Sequence, residues 1–100
     1  MKNSEFQKLV RLFKLNAWDV KLYEGEERPV WVSEDAVAMV TYDIIKRIGT
    51  IWAAKGKEQK TKVVHELLHL LFADVFLGDV PCDQEHRVIH VLEGIMAKCL

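Results

Sequence analysis

Hydrophobic residues recur at two different periods along the chain, and the change of period divides it into helices and strands. The first apolar positions recur at helical spacing, at Phe6, Leu9, Val10 and Phe13. They predict an amphipathic helix over about residues 4–15, which Ser4 and Gln7 would start as a capping box. Apolar residues then alternate with polar ones from Trp18 to Tyr23, which predicts a half-buried strand.

Two further segments are rich in β-branched and aromatic residues. Ala36–Tyr42 and Ile48–Ala54 are predicted to pair as a hairpin, joined by Asp43–Arg47, although Ile44 and Ile45 are unusually apolar for a loop. Residues 30–32 are a candidate short strand before this pair.

The second half of the chain returns to helical spacing. A long apolar helix is predicted from about Glu58 to Phe76, with Gly78 as its stop, and a last helix is predicted to begin at Pro81 with Asp83 as its cap. Helices and strands are therefore segregated along the sequence. This order predicts one α+β domain over residues 1–100, with a small, mainly antiparallel sheet of three or four strands.

Composition narrows the classes of function. The chain has 14 Lys and Arg against 15 Asp and Glu, a near balance that indicates neither nucleic acid nor an anionic membrane as partner. No apolar run is long enough for a membrane span, and the N-terminal residues lack the pattern of an export signal. Cys82 and Cys99 are expected to be free thiols. These features favour a cytoplasmic protein.

The helix predicted over residues 58–76 contains a HExxH motif formed by His65, Glu66 and His69. Residues four apart lie on one helix face, so the two imidazoles can converge on one metal ion. Two histidines and a carboxylate are also costly to bury on an apolar helix without a shared partner, and a cation is such a partner. A metal-free histidine pair within the core is the alternative interpretation.

Zinc suits a site of this kind, because it accepts neutral imidazole nitrogen and keeps an open position in catalytic sites. A zinc ion lowers the pKa of a water molecule and polarises a carbonyl group, and Glu66 would act as the general base beside it. Amide hydrolysis is the reaction that this arrangement favours.

The motif and its surroundings, VVHELLHLLFAD followed by a helix that begins DQEHRVIHVLE, resemble small phage and prophage zinc metallopeptidases of the gluzincin type, relatives of the ImmA/IrrE-like peptidases. The resemblance covers about residues 17–97 and implies a minimal zincin fold. It implies Glu85 as the third metal ligand and Ile48–Ala54 as an edge strand that lines the substrate groove. Phe72 and Val75 stand where metzincins carry a glycine and a third histidine.

The spacing of the last helix also bears on the third ligand. Glu85 falls within the helix arc that contains Val88, Ile89, Leu92, Ile95, Met96 and Cys99, which predicts that its carboxylate faces inward. Glu93 is the rival ligand, and Glu85 as a mere stabiliser of the helix dipole is a further alternative. His86 and His90 share a face with Glu93, an arrangement more typical of a solvated helix surface than of a ligand set.

The expected function is a zinc metallopeptidase that cleaves peptide bonds in a protein or peptide substrate, with Zn²⁺ bound by His65, His69 and Glu85. Tyr23 and Tyr42 are candidate donors to the oxyanion, although each is more typical of a strand aromatic. The alternative function is a zincin fold kept as a binding or regulatory module with a structural zinc. The presence of Glu66 favours the enzyme, because a structural site needs no base.

Overall fold

A computed structural model of the chain describes residues 1–23, 27–76 and 81–96. This part contains three helices and one small mixed sheet, an α+β architecture. The elements in chain order are α1 (Asn3–Leu12), β1 (Asp19–Leu22), β2 (Ala38–Asp43), β3 (Ile48–Ala53), α2 (Gln59–Phe76) and α3 (Cys82–Met96). The predicted element order is confirmed.

Helix α1 buries Phe6, Leu9 and Val10, as the helical spacing predicts. The predicted capping box is wrong, since Lys2 is the N-cap residue and no side chain caps the helix. Gln7 instead donates a hydrogen bond to the carbonyl oxygen of Val20 at 3.1 Å. The helix also ends earlier than predicted, because Lys14 adopts a φ of 60°, a left-handed conformation that cannot continue a helix.

The sheet has the strand order β1-β3-β2, with β3 in the centre. β2 and β3 pair antiparallel, as predicted, but β1 and β3 pair parallel, so the sheet is mixed and not mainly antiparallel. The expectation that Ile48–Ala54 is an edge strand is also wrong. Ile48–Ala53 is paired on both sides, and among the strands of the described ranges β2 is the edge strand nearer the HExxH helix.

The loop between β2 and β3 owes its shape to polar residues at its two ends. Asp43 Oδ1 accepts hydrogen bonds from the backbone N–H groups of Ile45 and Lys46, at 2.9 and 3.0 Å, and Arg47 has a φ of 55°. The apolar Ile44 packs against the core, whereas Ile45 is exposed to solvent. Residues 30–32 form turns, so the candidate strand there is not formed.

Helix α2 lies across β2 and β3, and it is the main helical contact of the sheet. Gly49 in β3 permits the close approach, because a Cβ atom there would come within 3.3 Å of Leu70 Cδ2. Seven of its 18 residues are buried, all of them within the apolar stretch between Val63 and Ala73. Its buried residues are Val63, Val64, Glu66, Leu67, Leu68, Leu70 and Ala73.

Helix α3 packs against α2 and buries Ile89 fully. It begins at Cys82, and the Glu85 N–H donates to the carbonyl oxygen of Pro81 at 3.0 Å. Asp83 therefore lies in the first turn and is not the cap that the sequence predicted. Val88 and Ile95 are largely exposed, which corrects part of the predicted apolar arc. The predictions for Gly78 and Cys99 concern residues outside the described part of the chain.

Candidate metal centre

The HExxH residues lie on the side of α2 that faces α3 and β2. Residues 63–72 form an uninterrupted part of the helix, so His65 and His69 are one turn apart on the same face. Their Nε2 atoms are 3.2 Å apart. Two nitrogens bound to one tetrahedral zinc at its usual bond length would be roughly 3.3 Å apart, so the spacing fits a shared ion.

Each of these imidazoles has a carboxylate from α3 at its other nitrogen. Glu93 Oε2 lies 2.8 Å from His65 Nδ1, and Glu85 Oε1 lies 3.3 Å from His69 Nδ1. An ionised carboxylate can only accept, so each Nδ1 carries the hydrogen of the neutral ring. The two Nε2 atoms are then both acceptors with lone pairs that face each other. Only a cation or a proton between them makes this arrangement favourable.

The protonation of His69 bears on the choice between a proton and a metal ion. Burial lowers the pKa of the His69 imidazole below its ordinary value, and the hydrogen bond that this ring donates to Glu85 acts in the opposite direction. The neutral form is therefore favoured near pH 7, and neutral imidazole is the form that binds a metal. The donor chemistry of the site fits a divalent ion of the zinc type.

Glu66 is the one charged residue in the described part of the chain whose side chain is buried. Burial raises the pKa of its carboxyl above the ordinary value, whereas the neighbouring imidazoles of His65 and His86 act in the opposite direction and Glu93 acts in the same direction as burial. Glu66 lines both grooves that border the histidine pair. The carboxylate is thus beside the histidines and open to a molecule bound there.

His86 joins the same cluster from α3. Its ring centroid lies 4.7 Å from that of His69 and 6.0 Å from that of His65. One potential ligand atom from each of these three histidines lies within 4.8 Å of the others. The sequence interpretation of His86 as part of a solvated face is wrong, since its side chain is half-buried in the cluster. His86 lies seven residues before Glu93, two helical turns away on the same face, and this spacing was the available signal.

The two glutamates that competed for the role of third ligand both face α2. Their side chains are 20% and 22% exposed, for Glu85 and Glu93 respectively, so Glu93 does not lie on the solvated face that the sequence suggested. His90 is different, because its side chain is 68% exposed and lies 3.8 Å from Glu93 Oε2. The role of Glu85 as a metal ligand stays a prediction.

A groove runs between α2, α3 and β2. Its larger part has a volume of about 470 Å³ and includes His65, Glu66 and His69 in its lining, a size within the range of about 300–1,000 Å³ of ligand sites. The wall opposite the histidines is β2 and the residues just before it, Ala36 and Val37. Tyr42 lines a smaller adjoining groove together with Glu66 and His69, whereas Tyr23 borders neither.

Comparison of the chain with protein-family models, with curated proteins and with solved structures finds no match in any of the three. The likeness to ImmA/IrrE-like peptidases therefore stays a prediction from the sequence motif. Among the helices in the described ranges, none combines the length and the apolar character that crossing a membrane requires.

Proposed function

We propose that this chain is a zinc-dependent metallopeptidase with a minimal zincin fold. The observation that carries the proposal is the pair of Nε2 atoms of His65 and His69, which are 3.2 Å apart on one helix face. The buried Glu66 next to them supplies the group that a purely structural metal site would not need.

In amide hydrolysis, the metal ion and Glu66 would have separate roles. When bound, a zinc ion would polarise the carbonyl group of the substrate and lower the pKa of a water molecule. Glu66 is the group that would take a proton from a water molecule in the groove and pass it to the leaving amine. The raised pKa of the Glu66 carboxyl suits both steps, because a more basic carboxylate accepts the proton more readily and remains able to release it.

The free edge of β2 indicates an extended peptide as substrate. Within the described residues, β2 pairs with β3 on one side only, and its residues from Ala38 to Val40 line the groove beside His69. A peptide in the groove can add to this edge as a further strand, with its backbone bonded to the backbone of β2. Such binding depends mainly on backbone hydrogen bonds, so it suits a shallow groove with few pockets for the side chains of the substrate.

The test compares the zinc-loaded wild-type protein with Glu66→Gln on a mixture of unstructured peptides, with mass spectrometry of the products. The substitution keeps the shape of the side chain and removes its basicity. We expect cleavage by the wild type, none above background by Glu66→Gln, and equal zinc content in both. Glu5→Gln is the matched control, because this exposed carboxylate borders neither groove.

Equal cleavage by wild type and Glu66→Gln would contradict the role of Glu66 as base. Zinc binding without cleavage of any peptide would instead favour the alternative function, a zincin-fold binding or regulatory module in which the metal supports the structure.

A further inference from the structure

The third histidine of the cluster, like the two histidines of the motif, has an oxygen acceptor at Nδ1, although this acceptor is a backbone carbonyl and not a carboxylate. The Cys82 Sγ atom also lies 3.4 Å from this nitrogen. His86 Nδ1 lies 3.1 Å from the carbonyl oxygen of Cys82, one turn earlier in α3. A carbonyl oxygen only accepts, so Nδ1 of the neutral ring carries the hydrogen and Nε2 is left as the acceptor. A helix carbonyl has two lone pairs, and it can accept this bond in addition to its backbone bond.

We propose that His86 is the third protein ligand of the metal, so that the centre consists of three imidazoles, and that Glu85 and Glu93 orient these imidazoles from outside. The inference rests on the proposed function in one respect only, namely that the site binds a metal ion. It assigns the roles of the α3 residues within that site.

The pattern of hydrogen bonds carries the assignment. Each of the three rings has an oxygen acceptor at Nδ1, which is Glu93 for His65, Glu85 for His69 and the Cys82 carbonyl for His86. Each ring is thereby held in the tautomer that leaves Nε2 free. Metal-bound histidines commonly have such an acceptor at the second nitrogen, which fixes the ring and raises its basicity.

Glu85 fits the orienting role better than the role of ligand. Its Oε1 atom lies at Nδ1 of His69, whereas the Nε2 atom of that ring faces His65. Among the described residues, the potential ligand atoms of His65, His69 and His86 lie within 4.8 Å of one another. Glu85 belongs to no such group. If Glu85 moved to the metal, the Nδ1 hydrogen of His69 would lose its acceptor.

A second possible ligand group, formed by His65, His90 and Glu93, is less suitable. It leaves out His69, and it would take Glu93 away from the 2.8 Å contact with His65 Nδ1. His90 is also exposed, so solvent competes for its nitrogen atoms.

The identity of the third ligand changes the chemistry of the centre. Three neutral imidazoles leave the full double charge of the ion in place, whereas a carboxylate ligand would cancel half of it. The fourth tetrahedral position then remains for water or substrate. A less neutralised ion is the stronger Lewis acid, which favours the polarisation of a peptide carbonyl.

X-ray absorption spectroscopy of the zinc-loaded full chain tests the assignment directly, because the scattering from imidazole rings reports how many are bound. We expect three imidazoles in the wild type and two in His86→Ala. His90→Ala is the matched control, since it removes a histidine from the same helix, and it should retain three. Two imidazoles with a carboxylate in the wild type would overturn the proposal.

Zinc affinity, measured by competition with a chromophoric chelator, gives a second readout. Loss of an orienting carboxylate is expected to weaken binding about 10- to 100-fold, and we expect Glu85→Gln to fall in that range and to retain three imidazoles. His86→Ala should bind more weakly than Glu85→Gln, and His90→Ala should match the wild type. Wild-type affinity in His86→Ala would overturn the assignment.

These outcomes separate the inference from the proposed function. Three bound imidazoles without peptidase activity would support the assignment of His86 and contradict the proposed peptidase function. Peptidase activity with two bound imidazoles and Glu85 as a ligand would support the peptidase function and contradict the assignment of His86. The wild-type spectrum decides the matter even if His86→Ala, checked by circular dichroism, does not fold.

Discussion

Glu93 Oε2 accepts a hydrogen bond from His65 Nδ1 at 2.8 Å, and this contact joins α3 to the HExxH motif of α2. The two residues are 28 positions apart in the sequence. The contact means that α3 does more than cover the core, because it sets the orientation of a ring whose other nitrogen faces the proposed metal position.

The first prediction concerns this contact. Glu93→Ala should reduce zinc affinity about 10- to 100-fold, because the His65 ring loses the acceptor that fixes its tautomer. The number of bound imidazoles should not change. Chelator competition measures the affinity, and Asp83→Ala, which removes an exposed carboxylate from the same helix, is the control. Loss of an oxygen ligand in the X-ray absorption spectrum of Glu93→Ala would identify Glu93 as a ligand instead.

The second prediction concerns the metal and stability. Zinc binds only the folded site, so a 100-fold excess over the dissociation constant should raise the free energy of unfolding by about 2.7 kcal/mol. For a domain of about this size the melting temperature rises by roughly 4–8 °C per kcal/mol. Calorimetry with zinc and with a chelator measures the shift. The shift should disappear in a double His65→Ala, His69→Ala variant, and full metal retention in that variant would contradict the site.

The third prediction concerns the packing behind the motif. Leu67 is fully buried next to Glu66 in the sequence, on the part of α2 that contacts the core. Leu67→Ala should lower the free energy of unfolding by about 2–5 kcal/mol, through lost burial and a cavity. Urea denaturation of the metal-free protein measures this loss. Leu12→Ala is the control, since Leu12 is 54% exposed, and an equal loss in both variants would contradict the assignment of the core.

Sequence periodicity was sufficient for the element order, because each helix and strand has an apolar face of the right period. It predicted α2 to within one residue of its start, since Val63 to Leu70 are apolar nearly all round the helix. The parallel pairing of β1 with β3 was not predictable in the same way. The order and direction of strands depend on contacts between distant segments of the chain. The alternation of Val20 and Leu22 with polar residues is the same whether the strand pairs parallel or antiparallel.

The site was predictable only in part for a related reason. His65, Glu66 and His69 are close in sequence and share one helix, so their spacing alone places them together. The face of α3 that meets them depends on how two helices pack. An arc counted from apolar residues included Val88 and Ile95, which are largely exposed, and it therefore assigned His86 and Glu93 to the wrong environment.

The last prediction concerns the free edge of β2. The N–H of Ala54 donates to the carbonyl oxygen of Val37, and these two residues lie one step beyond the Ala38–Ala53 pair of the antiparallel register. Hydrogen-bonded and non-hydrogen-bonded pairs alternate along such a ladder, so the N–H of Ala38 points away from β3, toward the position of an added peptide strand.

Ala38→Pro removes that outward N–H and leaves the hydrogen bonds to β3 intact. Ala38 is the first residue of an edge strand, which is a position where a sheet tolerates proline. If the substrate adds to β2 as a strand, the substitution should lower kcat/KM by about two- to twelvefold. This range corresponds to the loss of one hydrogen bond with a net contribution of about 0.5–1.5 kcal/mol. Zinc content should be unchanged. Met39→Pro is the contrasting variant, because Met39 pairs with Trp52 through the hydrogen bonds of the ladder, and it should lower stability markedly. Wild-type kcat/KM in Ala38→Pro would show that the peptide binds without pairing to this edge.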